Sequence, residues 1–132
     1  MRTLLNILWL LCGGALNAIH WYLVGVLMAI SIVGLPWSRA CFTLGTFSLW
    51  PFGRQMISRE LVTGRMDFGT GCLGTVGNIL WLLFAGWHLV LAHLVLAMGC
   101  AVTIIGIPFA VQHLKLALAS LMPIGMSVVK CP

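Results

Sequence analysis

The chain reads as long apolar blocks parted by short polar interruptions. Between Arg2 and Arg39 lie 36 positions with no Lys, Arg, Asp or Glu, and between Asp67 and Lys115 lie 47 more. Each block exceeds the ~20 residues that cross a bilayer core. Helix breakers subdivide them. Gly13-Gly14 and Pro36 enclose residues 15–35, and Ala85-Gly86 and Pro108 enclose residues 87–107. Each enclosed stretch corresponds to ~31 Å of helix, close to the hydrocarbon thickness. These are the predicted spanning helices. A short apolar piece precedes each, residues 3–12 and 75–84, and a segment of about 14 residues follows each, 37–50 and 109–122. All four are too short to cross alone, which predicts interfacial or re-entrant helices. In the segment after Pro36, Arg39, Thr43 and Thr46 share one helical face, and Trp37, Ala40, Leu44 and Phe47 share another.

The same pattern occurs twice. Residues 6–57 align without a gap to residues 78–129 at an offset of 72, with 16 of 52 positions identical. The identities include Asn6-Ile7-Leu8-Trp9-Leu10-Leu11 against Asn78-Ile79-Leu80-Trp81-Leu82-Leu83, Gly34 and Pro36 against Gly106 and Pro108, and Ser48, Leu49, Pro51 and Gly53 against Ser120, Leu121, Pro123 and Gly125. Lipid-compatible composition inflates matches among Leu and Ile but does not place Asn, Trp, Gly and Pro in register. The expected fold is an all-α membrane protein of two tandem pseudosymmetric helical repeats, each a spanning helix flanked by short interfacial or re-entrant helices. Within one membrane domain, residues 1–132, repeat 1 covers about 3–57, a polar linker about 54–71, and repeat 2 about 75–129.

Composition sharpens this picture. The chain is 61% hydrophobic and 7% charged, against roughly 25% charged residues in an ordinary soluble domain. A signal peptide would also begin with a basic residue and an apolar run, but here the run continues without a cleavage site, so the first segment is expected to stay as an uncleaved anchor. The net charge of +5 comes from seven basic residues between or beyond the apolar blocks. That placement suits lipid headgroups, and no basic stripe with interleaved aromatics suggests nucleic acid. Arg54, Arg59 and Arg65 put the linker on the cytoplasmic side by the positive-inside rule. One crossing per repeat gives inverted units, with four basic residues inside and three outside; two crossings give parallel units, with five and two. Charge favours the second and segment length the first. The five cysteines stand singly, with no disulfide framework or metal-ligand spacing.

The start Met1-Arg2-Thr3-Leu4-Leu5-Asn6-Ile7-Leu8, the repeated Asn-Ile-Leu-Trp-Leu-Leu, the Leu35-Pro36 and Ile107-Pro108 breaks and the closing Pro51-x-Gly53 and Pro123-x-Gly125 resemble the YccF family of bacterial inner membrane proteins along essentially the whole chain. Ala85 stands where a second Gly-Gly would be, and the chain ends shortly at Pro132 without a charged tail. The resemblance implies a multi-pass protein of the cell inner membrane. It brings no reaction and no active-site residues.

Several polar or ionisable residues inside apolar blocks are site candidates. Asn6 and Asn78 each require hydrogen-bond partners in hydrocarbon, as packing glue or as the lining of a shared cavity. The breaks at Gly34, Pro36, Gly106 and Pro108 either end one helix and begin the next or free carbonyls to line a polar path. His20, His88 and His93 are the intramembrane ionisable candidates, although the repeat aligns His20 with Ala92 and His93 with Trp21. His113, beside Lys115, is expected at headgroup level. Glu60 and Asp67 are the only carboxylates, and both lie in the linker. That excludes paired-carboxylate catalysis in the membrane, and no catalytic residue, metal site or cofactor is expected. The leading functional expectation is a small oligomeric channel or transporter-like protein for an unidentified solute or ion, surrounded by membrane lipids and assembled as a homo-oligomer. The alternative is a non-transporting scaffold or accessory subunit of a larger complex.

Overall fold

A computed structural model describes residues 1–67 and 69–131; Phe68 in the linker and Pro132 at the short end lie outside the described residues. Two helical hairpins form the body. Helix α1 (Arg2–Trp9) passes through a π turn (Leu10–Gly14) into α2 (Ala15–Ile30), and α3 (Leu35–Leu49) folds back along α2. Strand β1 (Arg54–Ser58), the short helix α4 (Arg59–Thr63) and the linker then lead to the second hairpin. There α5 (Cys72–Trp81) passes through a π turn (Leu82–Gly86) into α6 (Trp87–Ala101), followed by α7 (Ile107–Leu121) and strand β2 (Met126–Lys130). The result is the expected all-α membrane fold in two tandem units, each led by a helix long and apolar enough to cross a bilayer, Arg2–Ile30 and Cys72–Ala101.

In the second unit the glycine position does not end the leading piece: residues 75–84 run into the long helix through a π turn, in which residues i and i+5 come level. In the first unit the equivalent turn is interrupted at Gly13, whose non-helical φ and ψ part α1 from α2 by a kink, as the break there leads one to expect. Trp9 thereby meets Gly14 and Trp81 meets Gly86. A Cβ on either glycine would overlap the facing indole. Gly13 also takes φ 124°, which kinks the first π turn and suits a residue without Cβ. Beyond each long helix the Gly-x-Pro pattern acts as a stop and restart: Gly34 and Gly106 cap α3 and α7, with proline in the first turn, where its missing N–H removes no helical bond.

The expected faces of residues 37–50 hold. Ala40, Leu44 and Phe47 are buried while Arg39 and Thr46 are exposed. The indoles of Trp9, Trp21 and Trp81, with Leu44, Phe47, Leu89 and Leu116, form the buried centre.

The two-stranded sheet, which the apolar pattern does not announce, reveals how the units are related. β1 and β2 pair antiparallel with Met56 opposite Val128, its own equivalent at the 72-residue offset. Trp21 and His93 are also equivalents, and the indole Nε1 lies 3.4 Å from the imidazole Nε2. Two pairs of equivalent residues in mutual contact define a local two-fold axis, running from the sheet through the core to where α2 and α6 meet. Around it the hairpins lie across one another. The first turn, at Ser31 and Gly34, shares a groove with Leu80, Trp81 and Phe84, and Trp9 stacks on Phe109 just past the second turn, with ring centroids 6.2 Å apart.

Charge collects at the sheet. Arg54 and Lys130 lie within it, and the Arg2 guanidinium donates to the Cys131 carbonyl at 3.3 Å. Arg59 pairs with Asp67 beside Gly125, while Lys115 shares a groove with Gln55 and Met126. The described termini and the linker therefore meet at one pole. The turns, by contrast, expose Ile32, Val33, Ile104 and Ile105.

Candidate functional site

Asn6 and Asn78 form two equivalent clamps. The Asn6 amide donates from Nδ2 to the Phe52 carbonyl at 3.1 Å and accepts from the Phe52 N–H at 3.0 Å. Asn78 does the same with Ile124, at 3.2 and 2.9 Å. Each amide thus acts as a short piece of strand, satisfying both backbone groups of the residue between the closing proline and glycine. One turn on, the Trp9 indole donates to the Ser48 carbonyl at 2.6 Å and Trp81 to Ser120 at 2.9 Å. These carbonyls sit near the ends of α3 and α7, where helical partners run out. The Asn-x-x-Trp spacing, the glycine five residues after the tryptophan, and the Ser-Leu-x-Pro-x-Gly closure are therefore parts of one device that ties each return segment to its leading helix.

Both amides are engaged within their own unit, so they do not line a cavity in common. Gly34 and Gly106 likewise have their N–H groups bonded, to the Ser31 and Thr103 hydroxyls at 3.1 Å each. Pro36 lines the groove that also holds Arg39, while Pro108 begins α7.

The histidines fall into two pairs. His20 and His88 face each other at the edge of the molecule with ring centroids 5.9 Å apart. His93 is buried, with Nδ1 3.3 Å from Nδ1 of His113. His113 is therefore not at headgroup level: it is 4% exposed and packed against Trp9, ring centroids 4.6 Å apart. Two turns of α7 separate it from the break at Gly106, which carries it under the core. With both rings neutral, the bonds select the tautomers. Trp21 can only donate, so His93 Nε2 accepts; His93 Nδ1 then carries the proton and gives it to His113 Nδ1. Trp21, His93 and His113 thus form one buried hydrogen-bonded run between the units. Among the described residues, no three His, Cys, Asp or Glu side chains converge on a metal-binding position.

Outside the body, the Asp67 carboxylate receives the Arg59 side chain, with Nε at 2.8 Å, and the N–H groups of Gly69 and Thr70 at 2.8 and 3.0 Å. The Arg59 hydrogen bond, with those backbone donors, holds its pKa below the ordinary carboxylate value.

Sequence spacing exposed the Asn and Trp of each clamp. It missed His113 and the strand pairing, because neither follows from helical periodicity. The one available signal was the shared 72-residue offset of Trp21 and His93, which can bring equivalents together at a symmetry axis.

The fold and its paired clamps define a mainly helical membrane protein of duplicated hairpin units. The chain belongs to the YccF family: the model of its inner membrane component domain matches twice, at residues 4–54 and 76–126, again 72 residues apart. Similar proteins include the inner membrane proteins YccF of Escherichia coli (strain K12) and of Shigella flexneri. Each is 37% identical over 130 residues, covering 98% of this chain and 88% of the relative. No solved structure matches the chain.

Proposed function

We propose that this protein is a non-transporting structural component of the bacterial inner membrane, a scaffold or accessory subunit whose charged pole lies at the cytoplasmic face. The observation that carries this reading is the use of the buried amides. Asn6 and Asn78, best placed in sequence to line a path, are each occupied by two backbone bonds, and the space between the units is filled by Trp9, Trp21, Trp81, Phe109 and Leu116. A permeation path needs polar groups that remain available to a passing solute. Only isolated buried atoms, such as Ser48 Oγ and Gln112 Oε1, lack a partner among the described residues.

The same geometry favours entry of both hairpins from one face. Each return helix has 15 residues, ~22 Å at 1.5 Å per residue, short of the ~30 Å core. The turns are apolar and exposed, which suits termination in lipid. The basic pole satisfies the positive-inside rule as a cytoplasmic surface. Self-association through exposed apolar faces such as Leu91, Val95 and Met98 on α6 completes the reading, with a homo-oligomer as the assembled form.

Reconstitution tests it. Proteoliposomes containing the full chain should show no ion or small-solute flux above protein-free vesicles, while mildly solubilised native membranes should contain the chain in assemblies heavier than its own oligomer. Saturable flux lowered equally by Asn6→Leu and Asn78→Leu in folded protein would restore the channel reading and remove this one.

A further inference from the structure

The geometry points to a binding site for one anionic phospholipid, of the phosphatidylglycerol type, in the cleft between α3 and α5. Two cavities meet there. The first, about 390 Å³, is lined by Arg39 and Arg59 and floored by Gly74 and Gly77. The second, about 270 Å³, is an apolar groove between Met28 and Phe84. Trp37 and Leu80 line both, so a basic chamber beside the charged pole opens into a greasy channel toward the first turn. A headgroup and an acyl chain need this order of polarity and this direction.

The charge of the chamber selects the headgroup. Arg59 is compensated by Asp67 at 2.8 Å, whereas Arg39 is exposed and has no ion-pair partner among the described residues. One positive charge is left over. It matches a singly anionic phosphodiester, which accepts charge-assisted hydrogen bonds from a guanidinium; a zwitterionic lipid brings its own compensating cation. Trp37 is held at the junction by its indole, which donates to the Gly77 carbonyl at 2.9 Å.

The repeat provides an internal control. At the symmetry-related place, Val111 stands for Arg39, Leu5 for Gly77 and Arg2 for Gly74. Arg39, the uncompensated charge of the chamber, and the glycines that let Gly69 and Ile124 approach α5 are thus positions at which the two units differ, while the clamps that hold the fold are the same. The site does not depend on whether the protein transports anything.

The test is native mass spectrometry of the full-length protein, titrated in detergent with phosphatidylglycerol or phosphatidylcholine of identical acyl chains. Retention of phosphatidylglycerol should be about tenfold stronger, equivalent to about 1.4 kcal/mol. Arg39→Gln should remove that preference and leave phosphatidylcholine unchanged, and Arg39→Lys should keep most of it. Leu80→Trp, which fills the junction, should weaken both lipids. Thermal unfolding of each variant identifies misfolded protein, and the two substitutions at Arg39, on an exposed side chain, keep the test open if Leu80→Trp fails to fold. Equal retention of the two lipids, or a preference that survives Arg39→Gln, would overturn the proposal. Displacement of the lipid by millimolar glycerol phosphate would also overturn it, by showing a phosphate site with no role for the chain.

Discussion

Asn6 and Asn78 show what a single polar side chain does in this protein. Each offers one donor and one acceptor to a residue whose own N–H and C=O face away from helix and sheet partners, at Phe52 and Ile124. Replacing either amide by Leu leaves two backbone groups unpaired, at roughly 1–3 kcal/mol for each buried group. Asn6→Leu and Asn78→Leu should therefore each destabilise the protein by about 2–6 kcal/mol, measured by unfolding in detergent, with similar magnitudes because the clamps are equivalent. A large loss at one and none at the other would break the equivalence. Asp67 is the residue-scale contact with pH. Its lowered pKa means the linker turn is supported while the carboxylate is ionised, above its unfolded value near 3.8, and loses that support as pH falls through the lower folded value. Protection of the Gly69 and Thr70 amides from exchange, taken relative to the intrinsic rate at each pH, should fall below about pH 4, with no matching change in the helices; protection unchanged down to about pH 2 would show that the carboxylate does not hold the turn.

Among the elements, the π turns and the sheet mark the limits of sequence reading. Charge-free length and the breakers located both long helices, their return segments and the proline restarts, although α2 ends at Ile30 and α6 at Ala101, short of the expected 35 and 107, because the turns before Gly34 and Gly106 take the last residues of each stretch. Gly13-Gly14 reads as a break because glycine weakens helices, and Gly13 does kink the chain; what the sequence does not show is that Gly14 seats an indole five residues back, a contact visible only once the π turn forms. Gly86→Val should for this reason destabilise strongly, with Trp81 displaced from Ser120, readable as a shift in tryptophan fluorescence. The sheet was illegible for another cause. Residues 54–58 and 126–130 have no strand pattern of their own and pair because the clamps bring both to the axis. Cysteines placed at Met56 and Val128, with the native cysteines replaced, should oxidise to an intramolecular disulfide in detergent. Formation of crosslinked dimers in its place would contradict the pairing within one chain.

For the whole molecule, duplication gives a body that is symmetric where it holds itself together and asymmetric where it meets its surroundings. The clamps are common to both units. Arg39, the closely packed Gly74 and Gly77 of α5 and the histidine pairs are not. That division explains why the sequence disclosed the architecture so much better than the site: identities between repeats report folding constraints, while the distinctive chemistry lies at positions where the repeats disagree. His93 and His113 came together only through the crossing of the hairpins, which no periodicity encodes.

One charged pole with an apolar body entering the membrane from that side can be tested by sided cysteine labelling in cells and in inverted membrane vesicles. With the native cysteines replaced, single cysteines at Thr3, Thr63, Val33 and Ile105 would be probed with a membrane-impermeant maleimide. Thr3→Cys and Thr63→Cys should label from the cytoplasmic face alone, and Val33→Cys and Ile105→Cys should label from neither. Labelling of Thr3→Cys and Thr63→Cys from opposite faces, or of either turn from the outer face, would contradict the account.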